Sequence, residues 1–309
     1  MAERRWLFVV NPVAGNWKVK QAWPQIEKRL EAAGVDFSFR WTEGPGHATE
    51  LVREAIAAGY RNFVAVGGDG TGNEVANGML GQEEVPADEL LFTLLPIGTG
   101  NDWVRQNKIP NKISDWIHFF RNGRIARQDA GWVQYCTSEG EQKRFFINVM
   151  GLGYDGYVAK AAAAEGGKVA SKLSYLLLVF RCMFSYRTPG MHIRFDGQEL
   201  QARTYAVVAG INKFSGGGFQ LVPHAQPDDG LLALTIARRL SKIEVLLLSP
   251  LFYTGWINWH PAISLHDATT VSVNPLNGEE VLVEADGEFL GKAPARIGIV
   301  PGALRIWVT

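Results

Sequence analysis

The 309 residues carry 31 Lys and Arg against 31 Asp and Glu, so no net field draws the whole molecule to nucleic acid or to an anionic membrane, and any basic patch is local. Hydrophobic residues make up 47% and charged residues 20%, which excludes disordered, collagen-like and coiled-coil chains, and the length exceeds what one core usually serves. The 2 cysteines, Cys136 and Cys182, form neither a disulfide framework nor a metal cluster and fit a reducing cytosol.

From Trp6 onward, short apolar runs alternate with amphipathic stretches. WLFVV (6–10), FSFRW (37–41), NFVAV (62–66) and LLFTLLP (90–96) predict strands, and 18–33, 47–59, 73–80 and 113–122 predict helices. This alternation predicts a parallel sheet wrapped by helices over 1–127, with ligands where loops leave the carboxyl ends of the strands. The first apolar run is too short for a signal-peptide core, and no unbroken apolar stretch reaches the roughly 20 residues that span a bilayer. A cytoplasmic protein without a transmembrane segment is expected.

Over 128–299 the texture turns β-rich, with WVQY, KRFFINVM, MHIRF, TYAVVAGI, LLALTIA, TVSV, EEVLVEA and ARIGIV punctuated by Gly, Pro and Asn-Gly. A β-sandwich or distorted barrel is predicted. Two helical candidates, 171–186 and 241–259, are more apolar than a surface helix requires. Trp256, Trp259, Phe252 and Tyr253 read as core in preference to an interfacial anchor, given the ordinary role of aromatics. The 6 histidines are dispersed, which argues against zinc, and Cys182 reads as packing.

The sharpest motif is NFVAVGGDGTGNEVANGML (62–80), where an apolar strand breaks into Gly67, Gly68, Asp69, Gly70, Thr71 and Gly72 before a helix from about Asn73. Without Cβ atoms the backbone can pass close to a phosphate, and amides at a helix start offer unpaired donors. No Lys-Ser or Lys-Thr follows, so this is not a P-loop. NPVAG (11–15) and PIGTGND (96–102) leave the first and fourth strands at the same end of the sheet, which strengthens the phosphate-binding reading. Gly151, Gly153 and Gly156 also spell GxGxxG, but no acidic residue stands about 20 positions on and the context is β-rich, so a tight turn packing a strand against a helix is preferred to dinucleotide binding.

NPVAG, GGDGTGNE (67–74), GTGND (98–102), GLGYDG (151–156), PDDGLL (227–232) and ADGE (285–288), taken in order along nearly the whole chain, resemble the diacylglycerol kinase-like lipid kinases. The resemblance implies an α/β N-terminal domain with a parallel sheet, as in NAD kinases and diacylglycerol kinases, and a β-rich sandwich C-terminal domain. It also implies a nucleotide in the cleft between them and a last strand that returns to the first domain, here within 300–309. ATP is implied against Asn11, Pro12, Val13, Ala14, Gly15, Thr42, Gly68, Asp69, Gly70, Thr71, Gly72, Asn73, Glu74 and Thr99. A structural Mg2+ is implied on Asp229 with the carbonyls of Gln226 and Leu231, with Asp228 as the alternative carboxylate; such mixed oxygen ligation suits a hard cation.

The implied activity is ATP-dependent, magnesium-requiring transfer of the γ-phosphoryl group to a lipid hydroxyl, diacylglycerol-like or sphingoid, at the membrane surface, within phospholipid biosynthesis. Glu288 is favoured as the base over Asp286 and Asp69. Two rivals stand beside it: an NAD kinase-like soluble enzyme sharing GGDGT, and a non-catalytic lipid or nucleotide sensor, against which the acidic residues at 69, 229, 286 and 288 argue. The apolar segments 171–186 and 241–259 read either as walls of a lipid trough or as caps on the core. No residue discriminates among lipids.

Overall fold

The computed structural model describes residues 5–97, 101–165 and 172–309. The chain divides into two compact units: Met1–Gln128 with Gly302–Thr309, and Asp129–Pro301.

In the first unit, β1 (Trp6–Val10), β2 (Phe37–Trp41), β3 (Asn62–Gly67) and β4 (Leu91–Pro96) pair in the order β4-β3-β1-β2, every pair parallel. β1 is buried along its whole length, as a strand covered on both faces must be. The covering helices are α1 (Lys18–Ala32), α2 (His47–Ala57) and α3 (Asp69–Leu80), followed by α4 (Asp102–Gln106) and α5 (Ile113–Asn122). α1 turns Val19, Trp23, Ile26 and Leu30 inward at helical spacing. Trp116 of α5 stacks on Phe120, ring centroids 4.7 Å apart, and both rings meet Phe8 of β1.

α3 begins at Asp69 and not near Asn73. The glycines that hid its first turn are packing residues: a Cβ on Gly72 would lie 3.0 Å from Leu94 Cδ1 of β4, and one on Gly78 would lie 2.7 Å from Val52 Cβ of α2. Their low helix propensity is outweighed by close approach to the sheet and to α2. α4, a single five-residue turn, carries no periodicity and escapes sequence reading.

β5 (Arg124–Thr137) leads into the second unit. There β6 (Gly140–Phe146), β7 (Val149–Gly153), α6 (Tyr154–Ala164), α7 (Lys172–Ser185), β8 (Gly190–Phe195), β9 (Gln198–Gly210), the two-residue β10 (Phe214–Ser215) and β11 (Phe219–Gln220), and β12 (Leu232–Arg238) follow. The order continues with α8 (Lys242–Leu248), β13 (Ile263–Ala268), β14 (Thr270–Pro275), β15 (Leu282–Ala285) and β16 (Glu288–Val308). Pairing here is antiparallel: β9 lies between β12 and β7, β15 joins β7 to β16, and β14 bridges β8 and β16. β9 turns Val207 and Ala209 into a core of strand side chains and Ala206 and Val208 into a second core with α6, α7 and α8. The end of β16 runs parallel to β4, Arg305 opposite Leu91 and Ile306 opposite Phe92.

The segment 241–259 is not one helix. A capping box on Ser241 and Glu244 starts α8, which gives way to a 3-10 turn over Ser249–Tyr253 containing Pro250, and then to another over Ile257–Trp259. The core reading of the tryptophans is overturned: Trp256 is 70% and Trp259 86% exposed. Phe252 does pack against the core, whereas Leu177 of α7 is 62% exposed.

Candidate active site

The glycine-bearing strand exits of the first unit are joined by side chains. Asn11, just past β1, donates from Nδ2 to Thr71 Oγ1 at 3.0 Å and accepts the Val13 amide at 3.1 Å, which shapes the Asn11–Gly15 turn and ties it to α3. Pro12 O and Ala14 N take part in the same turn, and Gly15 has a φ of 63°, left-handed backbone that favours glycine. Gly67 permits the Thr71 contact, because a Cβ there would fall 2.6 Å from Thr71 Oγ1. Gly68 precedes the helix in extended backbone at φ −111°, so its local conformation does not require glycine. Gly70, Thr71 and Gly72 then form the first turn of α3, where the Gly72 amide already donates to Gly68 O at 3.1 Å, and a helix start leaves the amides before it to outside acceptors.

Asp69 and Glu74 have local work in this arrangement. The Asp69 carboxylate accepts the amides of Asp102 at 2.7 Å and Trp103 at 3.1 Å, and so fixes the start of α4 beyond the fourth strand. Trp103 is fully buried, its Nε1 donating to Gln128 Oε1 at 2.9 Å. Glu74 accepts the amides of Gly46 at 2.9 Å and Ala48 at 3.1 Å, closing the start of α2. Asn73 is buried and accepts from Asn77 Nδ2 within α3. Thr42 is buried at the end of β2, with its amide on Val10 O at 2.9 Å. Thr99 lies outside the described residues.

In the second unit the carboxylates at 286 and 288 sit on one hairpin. β15 and β16 pair with Ala285 opposite Glu288, leaving Asp286 (φ 48°) and Gly287 (φ 85°) as a two-residue loop with both residues left-handed, as an Asp-Gly loop favours. Asp286 accepts the amides of Ile147 and Asn148 at 2.9 Å each and of Val149 at 3.1 Å, so its carboxylate organises the entry to β7. Glu288 is 40% exposed at its side chain and accepts from Arg144 Nη2 at 2.9 Å. Both residues are half-buried, but Asp286 is engaged by three backbone amides and Glu288 by an arginine side chain.

Sequence reading missed two acids beside this hairpin. Glu284 is 6% exposed, and burial, reinforced by the nearby Asp155 charge, pushes its carboxyl well above the usual range. Asp155, at the start of α6, is pushed up by burial to about 6. The signal was there for Glu284: an acid inside the otherwise apolar run VLVEA is unusual in a strand with both faces covered.

Gln226, Asp229 and Leu231 lie together in the turn before β12, where Asp229 Oδ1 accepts the Leu231 amide at 2.9 Å. Asp129, buried to 1% exposure, accepts the Gly230 amide at 2.7 Å and donates its own amide to Pro227 O at 2.7 Å, so it fixes this turn from β5. An acid between the strand residues Gln128 and Ala130 was its only sequence signal. Among the described residues, no group of three or more His, Cys, Asp or Glu stands ready to hold a metal. One carboxylate with two carbonyls is nevertheless an oxygen set that fits Mg2+ completed by water.

Comparison with known proteins agrees along the chain. Residues 5–133 match the diacylglycerol kinase catalytic domain, and residues 148–308 match the YegS C-terminal NAD kinase beta sandwich-like domain. Diacylglycerol kinase of Staphylococcus saprophyticus is 27% identical over 291 residues, covering 94% of this chain and 91% of the relative. That of Staphylococcus aureus is 27% identical over 292 residues, covering 94% and 88%. The crystal structure of a diacylglycerol kinase from Bacillus anthracis superposes with a TM-score of 0.72 at 21% identity, covering 100% of this chain and 98% of that one. Yeast NADH kinase complexed with NADH shares the fold at a TM-score of 0.52 and 10% identity, covering 100% and 84%.

Proposed function

The chain belongs to the diacylglycerol kinase-like family and is a kinase, and from that premise we propose that it transfers the γ-phosphoryl group of ATP to a lipid hydroxyl. The observation that carries this reading is the linkage of the glycine-bearing strand exits, by Asn11 to Thr71 and by Asp69 to the amides of Asp102 and Trp103. Linked in this way they present helix-start amides and short loops suited to a triphosphate. Asn11–Gly15, Thr42, Gly68–Glu74 and Thr99 are the proposed nucleotide segment. Within it the hydrogen bonds of Asp69, Glu74 and Asn73 also shape the loops around the site.

Phosphoryl transfer asks little covalent work of a protein, so positioning and charge dominate. In the proposed step the acceptor hydroxyl gives its proton to the Glu288 carboxylate, its oxygen attacks the γ-phosphorus, and ADP leaves. Arg144 holds Glu288, and Asp286 holds the hairpin that presents it. Asp229 with the carbonyls of Gln226 and Leu231 is the proposed Mg2+ site. A bound divalent cation there would neutralise charge and stiffen the turn.

Among the described residues no helix is long and apolar enough to cross a membrane. The second unit instead exposes Leu177, Phe184, Ile243, Leu247, Trp256 and Trp259. Side chains of this kind, tryptophan above all, enter the interface of a bilayer, which supports a lipid acceptor presented at a membrane surface. Incubation with γ-labelled ATP and magnesium across diacylglycerol, sphingosine and ceramide micelles tests the reading. Label in lipid supports it, and label in NAD added as control would replace it with the NAD kinase alternative.

A further inference from the structure

Glu284 lies in β15 opposite Gly151 of β7 and is almost wholly buried. Its Oε2 accepts the Gly287 amide at 2.9 Å, reaching across the loop that carries Asp286 and leads into Glu288. Gly151 makes the room for it: a Cβ there would lie 2.9 Å from Glu284 Oε1 and 3.1 Å from Asp155 Cγ. The two carboxyl groups therefore flank one small gap that only a glycine leaves open.

We propose that Glu284 is a positioning residue for phosphoryl transfer, which shares one proton with Asp155 across the Gly151 gap and in that form holds the Gly287 amide, so that Glu288 keeps its place. The proposal rests on the reading of Glu288 as proton acceptor. Two like charges buried on either side of a gap that a single Cβ would fill repel each other, so one proton is retained by the pair. Burial raises both groups, and the charge of each neighbour adds to the effect on Glu284.

Among the described residues, several charged and titratable groups lie about the pair and its hairpin. Asp155 comes from α6 and Asp286 from the loop. Glu288, at the head of β16, is held on Arg144 of β6. Tyr154, Tyr186 and Tyr205 crowd Asp155, and burial first, then their charged neighbours, pushes all three hydroxyls up, so they stay protonated. Lys160 of α6 sits over the Phe289 ring at 5.9 Å and pairs with Glu280. Loss of the shared proton leaves two anions in the gap, and the yielding element is the hairpin loop.

The test is a pH titration of the Gly287 amide resonance in isotope-labelled full-length protein, wild type against Glu284→Gln, with Asp155→Asn as the second variant. Gln keeps an oxygen for the Gly287 amide and cannot ionise. Wild type is expected to show a titrating Gly287 amide and a kcat that declines at high pH. Glu284→Gln is expected to lose that titration and hold its plateau to higher pH, with the KM for ATP unchanged. The same Gly287 titration in all three proteins, or a high-pH decline in kcat unmoved by Glu284→Gln, overturns the proposal. A wild-type protein that transfers phosphate to no lipid while Gly287 still titrates would instead refute the lipid-kinase reading, and with it the catalytic purpose of the pair.

Discussion

Arg144 Nη2 lies 2.9 Å from Glu288 Oε2, with the arginine side chain 21% exposed and the glutamate 40%. The contact holds the carboxylate in one orientation at an accessible edge. A proton acceptor acts in the transition state more than in ATP binding, and general-base catalysis is typically worth about 10²–10⁴-fold. Glu288→Gln is therefore expected to lower kcat by a factor in that range with nucleotide affinity unchanged, measured by steady-state kinetics beside calorimetric ATP binding.

Asp286 has the opposite signature. Three amides converge on its carboxylate, so Asp286→Asn weakens hydrogen bonds to a charged group, each worth about 1.5–3 kcal/mol. The expected result is a lower melting temperature together with lower turnover. A stable Asp286→Asn protein that has lost turnover would move the base role to Asp286.

Asp69 holds the amides of Asp102 and Trp103, as a capping carboxylate does. Asp69→Ala should lower stability by about 1–2 kcal/mol and weaken ATP binding. By contrast Gly68, in extended backbone, tolerates a side chain conformationally. Gly68→Val should retain its far-UV circular dichroism and lose ATP binding, because the added bulk occupies the space proposed for phosphate.

The proposed membrane face predicts a clean separation of binding from stability. Trp256 and Trp259 are so exposed that Trp256→Ala with Trp259→Ala should leave the melting temperature within about a degree or two, as surface changes do. Cosedimentation with phosphatidylglycerol vesicles should drop several-fold. Undiminished cosedimentation would place the membrane contact elsewhere.

Burial sets a pH dependence on the fold. Asp155 is raised from 3.8 to about 6, so the folded state binds its proton more tightly than the unfolded chain does. Stability contributed by this group is full below about pH 4 and is lost as pH rises toward 6. Asp155→Asn should flatten that part of the profile in chemical denaturation at stepped pH.

The strands and most helices of the first unit were legible because period and length were unambiguous, as in Trp6–Val10 and Ile113–Asn122. The start of α3 was not, because Gly70 and Gly72 look like loop residues until the close approach to Leu94 is seen. Trp256 and Trp259 were read as core because composition says nothing about which side of a 3-10 turn faces water. The glycine loops and the Asp-Gly-Glu hairpin stood out as motifs, but the partners that give them form did not. Asp129 with Gly230, and Glu284 with Gly151 and Asp155, meet only through strand pairing and helix packing between distant segments.

The most direct measurement is transfer from γ-labelled ATP with magnesium into mixed micelles of diacylglycerol, sphingosine or ceramide, run with wild type and Glu288→Gln and with NAD in a parallel lipid-free reaction. Label should appear in a lipid with wild type, fall by about 10²-fold or more with Glu288→Gln, and be absent from NAD. Label in NAD, or equal transfer by both proteins, would contradict lipid phosphorylation through Glu288.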